Sequence, residues 1–361
     1  MGLSGLAARA LCVLGVLLSL AVEARAQNAD APPPPRISFE ISTGSTTGTY
    51  FPVGQRMAQL LSHPPGVGRC EAADVCGPAG LIVSTRASEG STANLVSVNA
   101  GMINSGLAQA DAVAMAIAGR GPFAKTGPAR ALRVIADLYG EDVHLLAAKD
   151  AKIANVGDLK GKRVSLSTEG SGTIITARAI LSAYRLTERT IVPNYDPAEK
   201  ATDLLQEGKL DAIFFVGGTP VSLIAQLIDE GVAVLVPIDG QGRERLLARE
   251  PYLSAHAIPA GSYGSAPAVE TVSVDALWVT DDSAPEALVY AMVKALFNPA
   301  NRNVLDANKV GTHFFDPAAA ASVRMALHPG ALRYYTETGL VKPPAEKASL
   351  PPAPAPESFA P

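Results

Sequence analysis

The chain has 361 residues, of which 48% are hydrophobic and only 5% aromatic, and it carries a formal net charge of −4. Its length exceeds what one hydrophobic core usually organises, so we expect two lobes. The negative charge argues against a nucleic-acid partner, because contacts to phosphates require a basic surface.

Residues 1–26 have the order of a secretory signal peptide: Arg9, then an apolar run over 11–22, then an A-x-A sequence before Gln27. The run of roughly 12 apolar residues is shorter than the ~20 that span a bilayer. We therefore expect cleavage near Ala26 and a periplasmic protein. Loss of the signal removes two basic side chains and one acidic side chain, which takes the net charge from −4 to −5.

The stretch 37–52 reads ISFEISTGSTTGTYFP and predicts a strand, a loop rich in glycine and hydroxyl groups, and a helix start. Backbone N–H groups at a helix start have no intrahelical partner, so they suit a carboxylate or a phosphate. The hydroxyl groups add hydrogen-bond donors without adding charge. A loop of this composition is also a common turn, and the sequence leaves both interpretations open.

Two cysteines, Cys70 and Cys76, remain after removal of the signal. An oxidising compartment and an even cysteine count favour a disulfide between them. Free or metal-binding thiols are the alternative, but no CxxC motif and no histidine cluster lies nearby. A closed loop this short predicts a contribution of roughly 2–3 kcal/mol to stability.

Short apolar runs alternate with helical patterns between an Ala/Pro-rich tether at 27–36 and a Pro-rich tail at 341–361, which we expect to be disordered. This alternation predicts an α/β protein built from βαβ units. The predicted strands are 37–42, 81–84, 102–107, 132–138, 143–147, 163–166, 212–216, 232–237 and 276–280. The predicted helices begin near Pro52 and cover 91–100, 109–118, 173–184, 198–206 and 220–229.

Several predicted strands end in turns rich in glycine, serine and threonine, each followed by a helix. In open α/β sheets, ligands lie where the strand ends meet the helix starts. Such turns in both lobes predict that helix N-termini from each lobe face one cleft. The turns are 42–50, 87–94, 167–173 and 217–220.

No catalytic or metal-binding arrangement stands out in the sequence. The 5 histidines are scattered without metal-ligand spacing, and the chain has no G-x-S-x-G elbow and no phosphate-loop lysine. We therefore expect no metal, no cofactor and no enzymatic activity. Glu89 stays ambiguous, because a carboxylate before a helix start can cap the helix, offset its dipole or bind a ligand ammonium group.

The motifs taken together resemble the TAXI family, the extracytoplasmic solute receptors of TRAP-type secondary transporters. The resemblance covers about 37–340 and rests on a secretory signal followed by a series of motifs. These are TGSTTGTYFP at 43–52, GSTANL at 90–95, GLAQAD at 106–111, and LKGKRV at 159–164 leading to GSGT at 170–173.

The resemblance implies a two-lobed periplasmic binding protein fold of type II, in which each lobe is a mixed, mostly parallel sheet flanked by helices. It implies that the cleft between the lobes passes a small carboxylate, such as glutamate or 2-oxoglutarate, to TRAP-type permease subunits. We also expect a monomer. Together with Glu89, the predicted ligand-binding residues are Thr43, Gly44, Ser45, Thr47, Tyr50, Ser91, Asn94, Gln109, Ser171, Gly172, Thr173, Gly217 and Gly218.

Two departures from the family pattern concern the ligand. Ser45 and Thr47 replace glycines that are common in the first loop, and Glu89 stands where relatives often have a second glycine. Both changes leave the receptor interpretation intact and leave the identity of the ligand open.

The expected lobe 1 comprises 37–139 and 246–340, and the expected lobe 2 comprises 140–245. We expect loose, glycine-containing hinges near 139–142 and 238–245. A periplasmic α/β hydrolase or transferase, and a sensory ligand-binding subunit, are the alternative functions.

Overall fold

The structure is a computed structural model that describes residues 35–307 and 309–342. The predicted signal peptide, most of the predicted tether and nearly all of the predicted tail lie outside the described residues. Within the described ranges, no helix has both the length and the apolar character needed to cross a membrane.

One mixed sheet runs through the molecule in the order β2-β1-β3-β10-β4-β7-β5-β6, with β8 paired to β4 and β9 paired to β10. The strands are β1 (Ile37–Ser42), β2 (Leu81–Arg86), β3 (Ser105–Gln109), β4 (Leu132–Ala148), β5 (Arg163–Ser165), β6 (Val192–Asn194), β7 (Ala212–Gly217), β8 (Ala233–Leu235), β9 (Leu253–Ile258) and β10 (Val269–Asp281). The helices are α1 (Tyr50–Leu61), α2 (Ser91–Asn99), α3 (Ala110–Ala118), α4 (Thr173–Ala183), α5 (Ala198–Gln206), α6 (Ser222–Asp229), α7 (Gly240–Arg249), α8 (Glu286–Leu296), α9 (Arg302–Asp306), α10 (Pro317–Ala321) and α11 (Pro329–Glu337).

The sheet is parallel toward both ends and antiparallel in the middle. β1 pairs in parallel with β2 and β3, and β5 pairs in parallel with β6 and β7. The long strands β4 and β10 run antiparallel to each other and to their other neighbours. The predicted α/β fold class is confirmed, and the two long strands explain why the antiparallel share exceeds what βαβ units alone predict.

Most predicted elements lie within one or two residues of the observed ones. The predicted strand at 102–107 is displaced, because Gly101 adopts φ 66° in a turn and Met102 is 64% exposed, so β3 begins only at Ser105. The predicted strand at 276–280 is the end of the longer β10. The sequence patterns did not predict β6, β9 or the helices after α6.

The segment 139–142 is not a loose connection as predicted, because it is the middle of the continuous, buried strand β4, and its role as a hinge stays a prediction. The glycine there serves a close approach between backbones. The Gly140 N–H donates to the Thr312 carbonyl at 3.1 Å, and a Cβ on Gly140 would overlap the Thr312 hydroxyl. The strand β10 runs antiparallel beside it, from Ser273 opposite Asp142 to Asp281 opposite Leu132.

The second expected hinge, at 238–245, is not a loose segment either, because a backbone hydrogen bond and a helix hold it in place. The Ile238 N–H donates to the Glu270 carbonyl at 2.9 Å, and α7 begins at Gly240. β9 pairs with the first half of β10, from Val269 to Val274, which lies beside the second half of β4. The division into lobes remains a proposal, and these pairings favour a return to lobe 1 near 274 in place of 246.

The described residues form three hydrophobic cores: two lie on opposite faces of β10, and a third contains Leu205 of α5 and Leu227 of α6. Along β10, Leu277 and Val279 pack in one core, whereas Ala276 and Trp278 pack in the other, as the alternation of a strand requires. Helices α3, α4 and α7 contribute to the first core, and α1, α8 and α11 contribute to the second.

The predicted disulfide between Cys70 and Cys76 is present. Both cysteines are buried, and they lie in the excursion between α1 and β2. The Gly77 N–H donates to the Leu61 carbonyl at 2.9 Å, which fastens the far end of this excursion to the end of α1.

Candidate functional site

A cavity of about 170 Å³ lies where strand ends from both parts of the sheet meet the starts of several helices. The first residues of four helices line it: Tyr50 of α1, Ser91 of α2, Thr173 of α4 and Ala198 of α5. The lining residues are Gly44, Ser45, Gly48, Thr49, Tyr50, Ser88, Glu89, Gly90, Ser91, Gln109, Glu141, Ser167, Thr168, Ser171, Gly172, Thr173, Pro197, Ala198, Phe215 and Val216.

None of these four helices has a side-chain cap from its own N-cap residue. Part of the first turns is satisfied by other groups: the Ala93 N–H donates to the Gly170 carbonyl at 3.0 Å, and the Ile174 N–H donates to Ser171 Oγ at 3.3 Å. The positive ends of the four helix dipoles therefore converge on the cavity, where they favour a negatively charged group.

Most of the predicted site residues line this cavity, and they come from both parts of the sheet. The predicted residues in the cavity wall are Gly44, Ser45, Tyr50, Glu89, Ser91, Gln109, Ser171, Gly172 and Thr173.

Thr43 and Asn94 lie behind the wall and hold the first loop in place. The Thr43 hydroxyl donates to the Arg86 carbonyl at 2.8 Å. The Asn94 amide donates to the carbonyls of Thr43 at 2.5 Å and Leu107 at 2.7 Å. Because these side chains donate their hydrogen bonds to backbone carbonyls, neither residue is proposed as a ligand contact.

Thr47, Gly217 and Gly218 also lie outside the wall. The hydroxyl of Thr47 donates to Glu199 Oε1 at 2.6 Å, and the Gly218 N–H donates to Thr49 Oγ1 at 3.4 Å. The wall beside them is formed by the end of β7 and the start of α5, so the predicted turn at 217–220 and its helix do not contribute the fourth helix start.

The two parts of the molecule touch across the cavity. Ser45 also hydrogen-bonds Glu199 of α5, so the hydroxyls of Ser45 and Thr47 both contact this carboxylate. The Thr92 hydroxyl donates to the Ser171 carbonyl at 3.2 Å, and Gln109 Nε2 donates to Thr176 Oγ1 at 2.9 Å. The described arrangement is therefore a closed cleft.

Glu89 takes part in this closure at the cavity rim. Its Oε2 accepts a hydrogen bond from the Gly170 N–H at 3.1 Å, and the side chain is exposed. A Cβ at Gly170 would lie 2.7 Å from Glu89 Cβ, so a larger residue would require this crossing to shift.

Glu141 is one of the wall residues that were not among the predicted ligand-binding residues. It is 1% exposed, and its carboxyl accepts hydrogen bonds from Tyr50 OH at 2.8 Å and Thr49 Oγ1 at 3.4 Å. Burial raises the pKa of Glu141 to about 8, against the lowering effect of these two hydrogen bonds. The sequence signal for Glu141 was a carboxylate between two apolar runs. The interpretation of 139–142 as a hinge placed this carboxylate outside the strands and outside the site.

Phe215 and Val216 supply an apolar patch in the wall that was also not predicted as part of the site. No lysine or arginine is among the lining residues within the described ranges. The cavity thus offers helix starts and hydroxyl groups to an anion, carboxyl groups to a cation, and an aromatic surface to an apolar body.

A second polar cluster lies near the middle of β4. His313 Nε2 is 3.2 Å from Asp137 Oδ1 and 3.9 Å from Asp275 Oδ1. Burial lowers the pKa of His313, but the hydrogen bond and charge of Asp137 outweigh it and raise the pKa overall. Sequence spacing cannot reveal this cluster, because its members come from three distant segments.

Two solved structures are similar to this chain in fold. MatC (Rpa3494) from Rhodopseudomonas palustris with bound malate matches with a TM-score of 0.52 and 13% identity, over 85% of this chain and 97% of MatC. The periplasmic binding protein BugD matches with a TM-score of 0.50 and 11% identity, over 86% of this chain and 95% of BugD. This structural similarity shows the two-lobed fold of periplasmic binding proteins.

A family-level match covers most of the chain. The sequence model of the NMT1-like family matches residues 41–339, far more than half of the 361 residues. This protein therefore belongs to the NMT1-like family.

Proposed function

We propose that this protein is an extracytoplasmic solute-binding receptor that captures a small carboxylate in the cavity between its two lobes. The observation that carries this proposal is the convergence of four helix starts from both parts of the sheet on one cavity. Each helix start favours a nearby anion by about 0.3–1 kcal/mol when exposed and up to ~2 kcal/mol when partly buried.

The carboxylate class has two further supports. The structure of the fold relative MatC holds malate, a small dicarboxylate. The motifs at 43–52, 90–95, 106–111 and 159–173 resemble those of TAXI receptors. We accordingly propose secretion to the periplasm and delivery of the ligand to a TRAP-type membrane permease.

We propose binding without chemical turnover. Serine and threonine hydroxyls line the cavity, but no histidine or lysine is among the lining residues of the described chain to act as their base. Ser171 illustrates this, because its hydroxyl donates to the Thr168 carbonyl at 2.7 Å and accepts from the Ile174 N–H at 3.3 Å.

A thermal-shift screen of the secreted chain, residues 27–361, tests the proposal. The panel contains small mono- and dicarboxylates, 2-oxo acids and L-amino acids, with uncharged sugars and polyamines as controls. A ligand at 100 times its Kd should add about 2.7 kcal/mol of stability. A panel in which only a sugar or a polyamine stabilises the protein would overturn the carboxylate proposal.

A further inference from the structure

Glu141 is a buried carboxyl group in the wall of the ligand cavity with no cationic partner among the cavity-lining residues. Tyr50 OH and Thr49 Oγ1 donate to it, and no lysine or arginine of the described chain lines the same wall. A buried carboxylate without a cation is costly, so such a group either holds a proton or meets a positive charge from outside the chain.

Burial and the nearby acidic groups favour the protonated form of Glu141, whereas the hydrogen bonds from Tyr50 and Thr49 favour the ionised form. Tyr50 faces it from α1, Asp111 lies at the start of α3, and Tyr139 and Asp142 are its neighbours on β4. On β10, the residue opposite Glu141 is the apolar Val274. Burial, with Asp111 and Asp142 adding to it, raises the pKa of Glu141 to about 8.

We propose that Glu141 binds the ammonium group of the ligand, so that the captured solute is a small amino carboxylate such as an L-amino acid. This inference rests on the proposed function and narrows its ligand class. The helix starts around Tyr50, Ser91 and Thr173 hold the carboxylate, and Glu141 holds the ammonium group. Opposite charges within one small cavity then offset the cost of burying each.

Capture is coupled to the release of one proton. The neutral Glu141 carboxyl loses its proton to solvent as the ligand ammonium group takes its place, which leaves a carboxylate paired with an ammonium ion. Glu89 suits this role less well, because it is exposed at the rim and its carboxylate accepts from the Gly170 N–H.

Calorimetry on the wild-type chain tests the proton count directly. L-amino acids and their matching 2-oxo acids are titrated at pH 7 in two buffers with different ionisation enthalpies. Because burial favours the neutral form of the Glu141 carboxyl, the best-binding amino acid should release close to one proton per molecule bound. Its affinity should rise roughly tenfold per pH unit between about pH 6 and 7.5, and the 2-oxo acid should release no proton.

The variant Glu141→Gln keeps the size of the side chain and removes its charge. It should weaken the amino acid roughly 10- to 100-fold and abolish proton release, with the affinity for the 2-oxo acid within about threefold of wild type. Glu71→Gln is the matched control, because Glu71 is exposed and is not among the residues that line the cavity, and it should leave proton release unchanged. If Glu141→Gln does not fold, the proton count on the wild-type chain still decides the question.

Equal affinity for an amino acid and its 2-oxo acid, with no proton released, would overturn the role of Glu141 and leave the carboxylate receptor standing. Failure of every carboxylate in the panel to bind would overturn the receptor proposal together with this inference. Proton release that persists in Glu141→Gln would assign the proton to another group and would also contradict the inference.

Discussion

Adjacent acidic residues on one strand have different surroundings in this protein. Glu141 faces the ligand cavity, whereas Asp142 accepts from Thr219 Oγ1 at 2.6 Å and lies 2.6 Å from His256 Nδ1. The alternation of side chains along a strand separates the two carboxyls. Only one of them is therefore available to a ligand.

The raised pKa of Glu141 has a consequence for stability. A folded-state pKa of about 8, above the ordinary 4.5, contributes stability that is present below about pH 4.5 and is lost as pH rises through 8. As the pH rises from 5 to 8, we expect the unfolding free energy of Glu141→Gln to fall less than that of wild type. Urea titrations at pH 5, 6.5 and 8 measure this difference.

Burial also raises the pKa of Asp111, to about 6, so Asp111 contributes in the same direction to the stability profiles of wild type and Glu141→Gln. Parallel stability profiles for wild type and Glu141→Gln would contradict the expectation.

The disulfide between Cys70 and Cys76 should stabilise the secreted chain. We expect the double variant Cys70→Ala/Cys76→Ala to lose roughly 2–3 kcal/mol of unfolding free energy, because a short closed loop limits the entropy of the unfolded chain. Denaturant unfolding measures the loss, and a reducing agent should have no effect on the double variant. Labelling of two reactive thiols in the unreduced, denatured wild-type protein would contradict the disulfide.

At the scale of elements, the start of α4 is the most tightly fitted crossing of the cleft. A Cβ on Gly172 would lie 2.5 Å from Ser91 Oγ and would overlap the Gln109 amide oxygen. Gln109 is buried and hydrogen-bonded to Thr176, so its side chain has little freedom to move away from a methyl group on residue 172.

We expect Gly172→Ala to hold the cleft partly open and to weaken ligand binding about tenfold, because overpacking of a fitted contact costs roughly 1–3 kcal/mol. Gly68→Ala is the control, since a methyl group there meets no atom within 4 Å. Calorimetry with the best ligand of the panel gives both affinities. Wild-type affinity in Gly172→Ala would show that this crossing is not part of the bound state.

At the scale of the whole molecule, both connections through the centre of the sheet are strands. β4 and β10 run side by side from Asp142 opposite Ser273 to Leu132 opposite Asp281, so bending of the lobes would flex a paired ribbon. The pairing of β10 with β4 is irregular at Ala276/Leu277 and at Trp278/Val279. We propose that the two strands bend at these bulges when the lobes move.

We expect ligand binding to close the cleft. Small-angle X-ray scattering should give a smaller radius of gyration with saturating ligand than without it, and the bound profile should match the described closed arrangement. Gly172→Ala should keep a larger radius in the presence of ligand. An unchanged radius in the wild-type chain, with binding shown by calorimetry, would contradict closure.

The sequence by itself determined the α/β class, most element bounds and much of the cavity wall. These features depend on local physics: residue alternation marks β1, and glycine and hydroxyl residues mark the turns before α1, α2 and α4. The disulfide was also accessible, because it joins residues only 6 apart.

Only the tertiary structure decided the features that depend on distant segments meeting. From the sequence, the stretch around Gly140 and Glu141 was interpreted as a loose hinge. In the structure, Thr312 packs against Gly140, and Tyr50 and Thr49 donate hydrogen bonds to Glu141. Ser45 and Glu199 are 154 residues apart, so no local pattern links them. Strand continuity, burial of a carboxyl and closure of a cleft are properties of packing, and packing is set by the whole chain.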